Sequence, residues 1–300
     1  MKKIEQTYGY DDVAIVPGEI TLNPELVDTN TKIGELELDV PVFASAMDSV
    51  VDPKFAKELS DLGGAGVINL DGIHVRYENT DDIYQDIVST PQKDVTALLQ
   101  KIYSAPVKEN LVGEVVKKIK DSGGKCFASF VPASTKRLAP VAVEAGCDAV
   151  VVQSTVTTAR HNSKSLEGLI LSKLVDSLDV PIIVGNTVTY NVTRELMEQG
   201  VDGILVGVGP GSACTSREVL GVGVPQVSAT LECSSARDDY YKLTGRYVSI
   251  ITDGGIRTGG ELCKSFVSGA DAVMIGSPFS KTHEAPAKGN HWGMATPHGS

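Results

Sequence analysis

A chain of 300 residues, 42% apolar and 22% charged, has the material for one large soluble domain or two ordinary ones. Its net charge of −11, with no Lys/Arg run, excludes a nucleic-acid binder of the basic-patch kind, and no apolar run approaches the ~20 residues a membrane helix needs. Five widely spaced cysteines without a CxxC pair exclude a disulfide framework, so reduced thiols and cytoplasmic residence are expected.

The N-terminal MKKIEQTYGYDD carries two lysines with no apolar segment behind them and is not a secretory signal. The first buried run is VPVFASAM (40–47). Asp52-Pro53 then opens a helix, Asp as cap and Pro in the first turn, with Phe55, Leu59 and Leu62 on its inner face and Gly63 as its stop. AGVINL (65–70) is the second run. Residues 71–124 are longer than a simple crossover and predict additional helices. KCFASFV (125–131), DAVVVQS (148–154) and PIIVGN (181–186) follow. A helix over 191–199 turns Val192 and Leu196 inward and stops at Gly200. DGILVGV (202–208) leads into a glycine-rich loop and then a helical segment over 227–246. YVSIITDGG (247–255), a helix over 259–268 with Leu262 and Phe266 inward and Gly269 as stop, and DAVMIGS (271–277) complete the series.

Eight near-continuous apolar runs are what buried parallel strands look like. The phrases EAGCDAVVV, EQGVDGILV and VSGADAVMI repeat one grammar of helix end, Gly, one residue, Asp, strand. Strands alternating with helices predict a single (β/α)8 TIM barrel over residues 1–300, with a doubly wound open sheet as the rival. The stretch after Ser277 is rich in Gly and Pro and shows no amphipathic period, so the barrel's closing helix is not expected within it.

In a barrel every strand's C-terminal end lies on one face, and the chemistry is expected there. Asp253-Gly254-Gly255 and Gly276-Ser277 end two adjacent strands, an arrangement suited to a phosphate or, as the bland alternative, to tight turns. Asp253 suits ribose hydroxyls, or else caps a helix. Met47, after Ser45, is either core packing or an apolar platform for a flat heterocycle, and Asn186 offers a donor and an acceptor. The loop GVGPGSACTS (207–216) is not a dinucleotide fingerprint, because Ser212 stands where its last glycine belongs. Its Cys214 is a packed thiol or a nucleophile, and the polar Gly/Ser/Thr setting favours the second. Cys126 and Cys147 sit in or beside apolar strands and read as core thiols; Cys233 and Cys263 fall in helices with no supporting chemistry. His291 and His298, in the final loop, are expected to face solvent, and the five histidines show no metal-ligand spacing.

The motifs SAMDSVVD, VGNTVT, GVGPGSACTSREVLGVGVPQ, DGGIRTGGELCKSFVSGADAVMIGS and WGM resemble the IMP dehydrogenase/GMP reductase family, specifically its branch without the paired CBS regulatory domain. In larger members that domain is inserted after the second strand, where residues 71–124 stand here. The resemblance implies a purine 5′-nucleotide with its phosphate on Ser212, Gly255, Gly276 and Ser277, its ribose on Asp253, and its base framed by Ser45, Met47, Asn186 and Met294. It implies Cys214 as the nucleophile at C2, with Ser216 in the place of the usual Thr. It further implies NAD or NADP near Gln153, Ser154 and Gly207, a monovalent cation such as K+ on the carbonyls of Gly209, Gly211 and Cys214, and a homotetramer. IMP dehydrogenation is the implied reaction and GMP reduction its close rival. An FMN-dependent barrel enzyme and a silent nucleotide-binding relative are the more distant ones. Two departures stand out: Gln153 occupies the place of the family's acid near the nicotinamide ribose, and no glutamate follows Gly293-Met294 as it does in reductases. The dehydrogenases' flap and last helix are expected to lie beyond Ser300.

Overall fold

The computed structural model describes residues 5–160 and 168–293. A short antiparallel hairpin comes first, β1 (Thr31–Ile33) and β2 (Leu36–Leu38). Eight parallel strands then close into a barrel: β3 (Val42–Ala44), β4 (Ala65–Asn69), β5 (Phe127–Phe130), β6 (Ala149–Gln153), β7 (Ile182–Thr187), β8 (Gly203–Val206), β9 (Ser249–Asp253) and β10 (Ala272–Ile275). Seven fall inside one of the eight apolar runs, β7 extends one residue beyond its run to Thr187, and β10 pairs with β3 to close the ring. The architecture is a TIM barrel rather than an open sheet.

Period-2 alternation divides the strand residues between two cores. Phe43, Val67, Phe127, Val151, Ile183, Leu205, Ile251 and Met274 point inward and fill the barrel. Ala44, Ile68, Ala128, Val150, Val184, Ile204 and Ile250 point outward against the helices. Phe127 is fully buried and meets Phe43 edge to face, ring centres 5.2 Å apart. Phe127→Ala empties a central barrel position and is expected to lower stability by about 3–5 kcal/mol, read as a shifted urea midpoint at unchanged slope.

The hairpin was not expected from the sequence. Its Ile33 and Leu38 join the inner core, and it is tied to the N-terminal ends of the strands by Thr31 Oγ1 donating to the Asp271 carbonyl (3.0 Å) and by Ser249 Oγ donating to the Lys32 carbonyl (2.7 Å). It plugs the end of the barrel opposite the strand C-termini.

The repeated Gly-x-Asp phrase has a structural cause. Gly146, Gly200 and Gly269 take left-handed angles that stop the preceding helices, as an αL cap requires. The aspartate two residues on then accepts the backbone N–H that opens the neighbouring strand: Asp148 from Cys126 (2.7 Å), Asp202 from Ile182 (2.9 Å), Asp271 from Ile250 (2.7 Å). Each carboxylate also pairs with a cation, Lys120, Arg246 and Arg237 respectively.

Helix α1 (Pro53–Asp61) begins as expected, Asp52 accepting the Phe55 N–H at 2.7 Å, and buries Phe55 and Leu59. Leu62 is 74% exposed, against expectation, because the helix ends at Asp61 and Leu62 already belongs to the turn. The long crossover holds α2 (Thr80–Ser89), α3 (Gln92–Tyr103) and α4 (Glu109–Asp121). Five helices follow: α5 (Pro132–Glu144), α6 (Leu171–Ser177), α7 (Tyr190–Met197), α8 (Gln226–Thr244) and α9 (Gly259–Val267). After β10 the described chain forms one turn of helix, α10 (Ser277–Ser280), and a series of turns to Gly293. Among the described residues no helix is long and apolar enough to cross a membrane.

Candidate active site

A cavity of about 720 Å3 opens at the C-terminal ends of the strands. Every candidate site residue within the described region lines it, although they come from loops after six different strands. Met294 lies outside the described residues.

One side of the cavity is built from hydroxyls and glycine backbone. Ser212 Oγ lies 2.7 Å from Ser277 Oγ, joining the loop after β8 to the start of α10. Gly255 takes a left-handed angle, and a Cβ there would stand 3.2 Å from the Pro210 carbonyl oxygen, so glycine lets the loop after β8 close over the turn after β9. Gly276 is hemmed by Met47 Sδ, His291 Cε1 and Ser45 Oγ, all 3.3–3.4 Å from where its Cβ would be. Ser45 is 8% exposed, and its N–H donates to the Ile275 carbonyl, so β3 and β10 bring Ser45 and Met47 to Gly276.

The other side is an amide–carboxylate cluster. Asp253, at the end of β9, accepts from Asn186 Nδ2 (2.8 Å) and Gln153 Nε2 (2.9 Å), both on Oδ2. Gln153 Nε2 also lies 3.1 Å from Asn186 Oδ1. Burial pushes the Asp253 carboxyl up to about 6, and the two amide donors oppose that rise. Asp253 therefore caps no helix; its partners come from β6 and β7. Ser154, the next residue after β6, spends its hydroxyl locally, donating to the Val156 carbonyl at 2.9 Å and lying 2.9 Å from Thr157 Oγ1.

The loop after β8 carries the thiol to the same cavity. Cys214 is exposed in the cavity, while Cys126, Cys147 and Cys233 are buried, and burial pushes their thiols up. Cys263 is exposed on the outer helix α9. Cys214 Sγ donates to Ser216 Oγ at 3.3 Å, and the Cys214 N–H donates to the Gly211 carbonyl at 3.1 Å, so a turn presents the sulfur. Gly207 and Gly209 form the stem of that loop and line the cavity wall.

The structure adds residues that the sequence did not place at the site. His291 is 8% exposed rather than solvent-facing. Its ring lies 3.3 Å from both Ser49 Oγ and Ser277 Oγ, and burial, with Lys281 nearby, pushes its pKa down. The cause is its neighbour: Trp292 is buried among α2 and α3, its indole N–H donating to the Tyr103 hydroxyl at 2.9 Å, and this draws His291 inward. Gln226, 3% exposed, donates to the Val206 carbonyl at 2.6 Å beneath the cysteine loop. Residues 9–12 border the cavity from the N-terminal side, with Tyr10 buried and held at 2.6 Å to Ser265 Oγ. No periodicity marks residues 9–12, and Gln226 stands just before the helical segment expected over 227–246.

An eight-stranded barrel whose C-terminal face holds a glycine-framed cavity, a hydroxyl pair and an exposed thiol is the frame of a small-molecule enzyme. The family description "IMP dehydrogenase / GMP reductase domain" matches residues 7–293, and the chain belongs to that family of oxidoreductases. An uncharacterized oxidoreductase of Mycolicibacterium smegmatis is 34% identical over 98% of this chain and 80% of its own length. The inosine-5′-monophosphate dehydrogenase of Cryptosporidium parvum is 32% identical over 96% of this chain and 71% of its own length. Among solved structures, an IMP dehydrogenase/GMP reductase-like protein from Corynebacterium glutamicum superposes with a TM-score of 0.91 at 33% identity, covering 97% of this chain and 78% of that one.

Proposed function

We propose that the protein oxidises inosine 5′-monophosphate (IMP) at C2 with NAD, through a covalent adduct on Cys214. The observation that carries this reading is an exposed thiol in the same cavity as the Ser212–Ser277 hydroxyl pair and Asp253. On this reading the phosphate rests on Ser212 and Ser277 and on the backbone of Gly255 and Gly276, the ribose on Asp253, and the base on Met47 beside Ser45 and Asn186.

C2 of the hypoxanthine ring lies between two nitrogens and is electron-poor. The Cys214 thiolate adds there, since the thiolate is the nucleophilic form. The chemistry that NAD would supply when bound is acceptance of the hydride that leaves C2 with its electron pair, and C2 would then be held to sulfur as a thioimidate. Water adds to C2, the C–S bond breaks, and xanthosine monophosphate and a proton are released. Ser216, accepting from the sulfur at 3.3 Å, is positioned for proton traffic at this carbon. Ser154 and Gly207 border the cavity where a nicotinamide would approach.

Of the carbonyls assigned by resemblance to a monovalent cation, that of Gly211 accepts the Cys214 N–H and keeps a second lone pair. No step is routed through such an ion. The apolar side chains exposed along the N-terminal arm, Val16, Ile20, Leu22 and Leu26 among them, support self-association, and a homotetramer is the proposed state. Unpaired cysteines support residence in the cytoplasm.

The deciding assay offers IMP with NAD in one cuvette and guanosine 5′-monophosphate with NADPH in another. Growth of reduced-cofactor absorbance in the first is the expected result. Consumption of NADPH in the second alone reverses the direction to reduction. A yellow, FMN-loaded protein inert in both replaces the reading altogether.

A further inference from the structure

The amide of Gln153 is fixed in orientation by its neighbours. Its Nε2 faces Asp253 Oδ2 at 2.9 Å and Asn186 Oδ1 at 3.1 Å, both acceptors. Asn186 is fixed in turn, because its Nδ2 donates to the same carboxylate at 2.8 Å. Reversing either amide would set oxygen against oxygen. With both amide hydrogens of Gln153 engaged, its Oε1 remains, a buried oxygen with no hydrogen-bond partner among the described residues, on a side chain that lines the cavity. A buried acceptor in this state is short of a donor, and a small shift of the amide on the cavity wall brings it within reach of one on a ligand.

We propose that Gln153 belongs to the clamp on the purine nucleotide's ribose rather than to the cofactor's site, its N–H groups holding Asp253 and Asn186 and its free oxygen accepting from a ribose hydroxyl. The proposal rests on the nucleotide reading above and corrects the role that resemblance gives this position. An acid at 153 would set a second carboxylate at hydrogen-bonding distance from Asp253, and two carboxylates so placed do not both stay ionised. An amide donates instead and leaves Asp253 its charge. A sugar whose hydroxyls reach Asp253 stands beside Gln153, because the two side chains are in direct contact. Vicinal hydroxyls supply two donors, and Asp253 and Gln153 supply an acceptor each.

The test measures binding of IMP and of its 2′-deoxy and 3′-deoxy analogues by titration calorimetry with no cofactor present, in the wild type, Gln153→Ala and Gln153→Glu. Wild type is expected to bind IMP about tenfold or more tightly than either deoxy analogue. In Q153A the IMP affinity falls about tenfold and one of the two discrimination ratios drops toward one, while KM for NAD at saturating IMP stays within about twofold. Q153E keeps shape and acceptor but loses the donor to Asp253, and it also weakens IMP. Both ratios intact in Q153A with a raised KM for NAD would return the residue to the cofactor and overturn the proposal, as would wild-type IMP affinity in Q153E. A wild-type protein that binds no purine 5′-nucleotide overturns the functional reading itself, and this inference with it.

Discussion

Cys214→Ala is expected to leave a folded protein that binds IMP and turns none of it over. The side chain is exposed and packs in no core cluster, so its loss removes chemistry and little stability. Without sulfur at C2 the covalent route has no first step, and water alone must attack a ring carbon that still holds its hydride. A loss of at least about 10^4-fold in kcat is expected, the scale on which removal of a nucleophile acts. Incubating the wild type with IMP and NAD, quenching in acid and weighing the intact protein should show a mass increase that the variant lacks. Residual activity within about tenfold of wild type would remove Cys214 from the mechanism. Ser216→Ala should act more mildly, since its hydroxyl touches the sulfur without forming the bond.

Asp253→Asn is expected to lose nucleotide affinity and gain stability together. In the folded protein the carboxyl ionises near 6, against 3.8 for the ordinary group, chiefly because it is buried. Its folded pKa is raised, so the native state holds the proton more tightly than the unfolded chain does. Stability from this group is highest at low pH, falls as pH rises from about 4 to about 6, and stays reduced above that. The shift corresponds to about 3 kcal/mol at most, and contact with cavity water lessens it. Asparagine removes that penalty while its carbonyl still accepts from Asn186 and Gln153. The variant should therefore melt several degrees above wild type at about pH 8 and level with it near pH 4. Equal melting at both values would refute the strained carboxylate.

Affinity moves in the opposite direction. On the proposed reading ribose hydroxyls donate to the ionised carboxylate, so binding would favour the deprotonated form, and wild-type affinity should fall about tenfold per pH unit below about 6. A nucleotide phosphate takes up its own second proton near pH 6, and the pH profile of Asp253→Asn, in which only the phosphate titrates, isolates that part. At neutral pH the variant should bind IMP about 10^2-fold more weakly, having exchanged charge-assisted hydrogen bonds for neutral ones.

Residues close together in the chain carried the readable part of this protein. Parallel barrel strands are buried on both faces, so they appear as unbroken apolar runs, and all eight could be placed. Helix caps and stops are local chemistry, which is why Asp52-Pro53 and the glycines before Asp148, Asp202 and Asp271 marked their turns. A cysteine amid Gly, Ser and Thr stood out because a core thiol would have apolar neighbours.

What the folded chain alone decided depends on which strand ends meet. Gln153 and Asp253 are 100 residues apart, and nothing near either one announces the other; only the circular order of strands brings them to 2.9 Å. His291 looked solvent-facing because its own segment is polar, yet Trp292 finds its place against Tyr103, 189 residues away, and takes the histidine in with it. The plug formed by Ile33 and Leu38 escaped notice for the same reason, since two three-residue strands carry too little pattern until a barrel end is there to receive them. Short-range periodicity and capping specify the elements, whereas a site assembled from six strand ends exists only once the ring has closed.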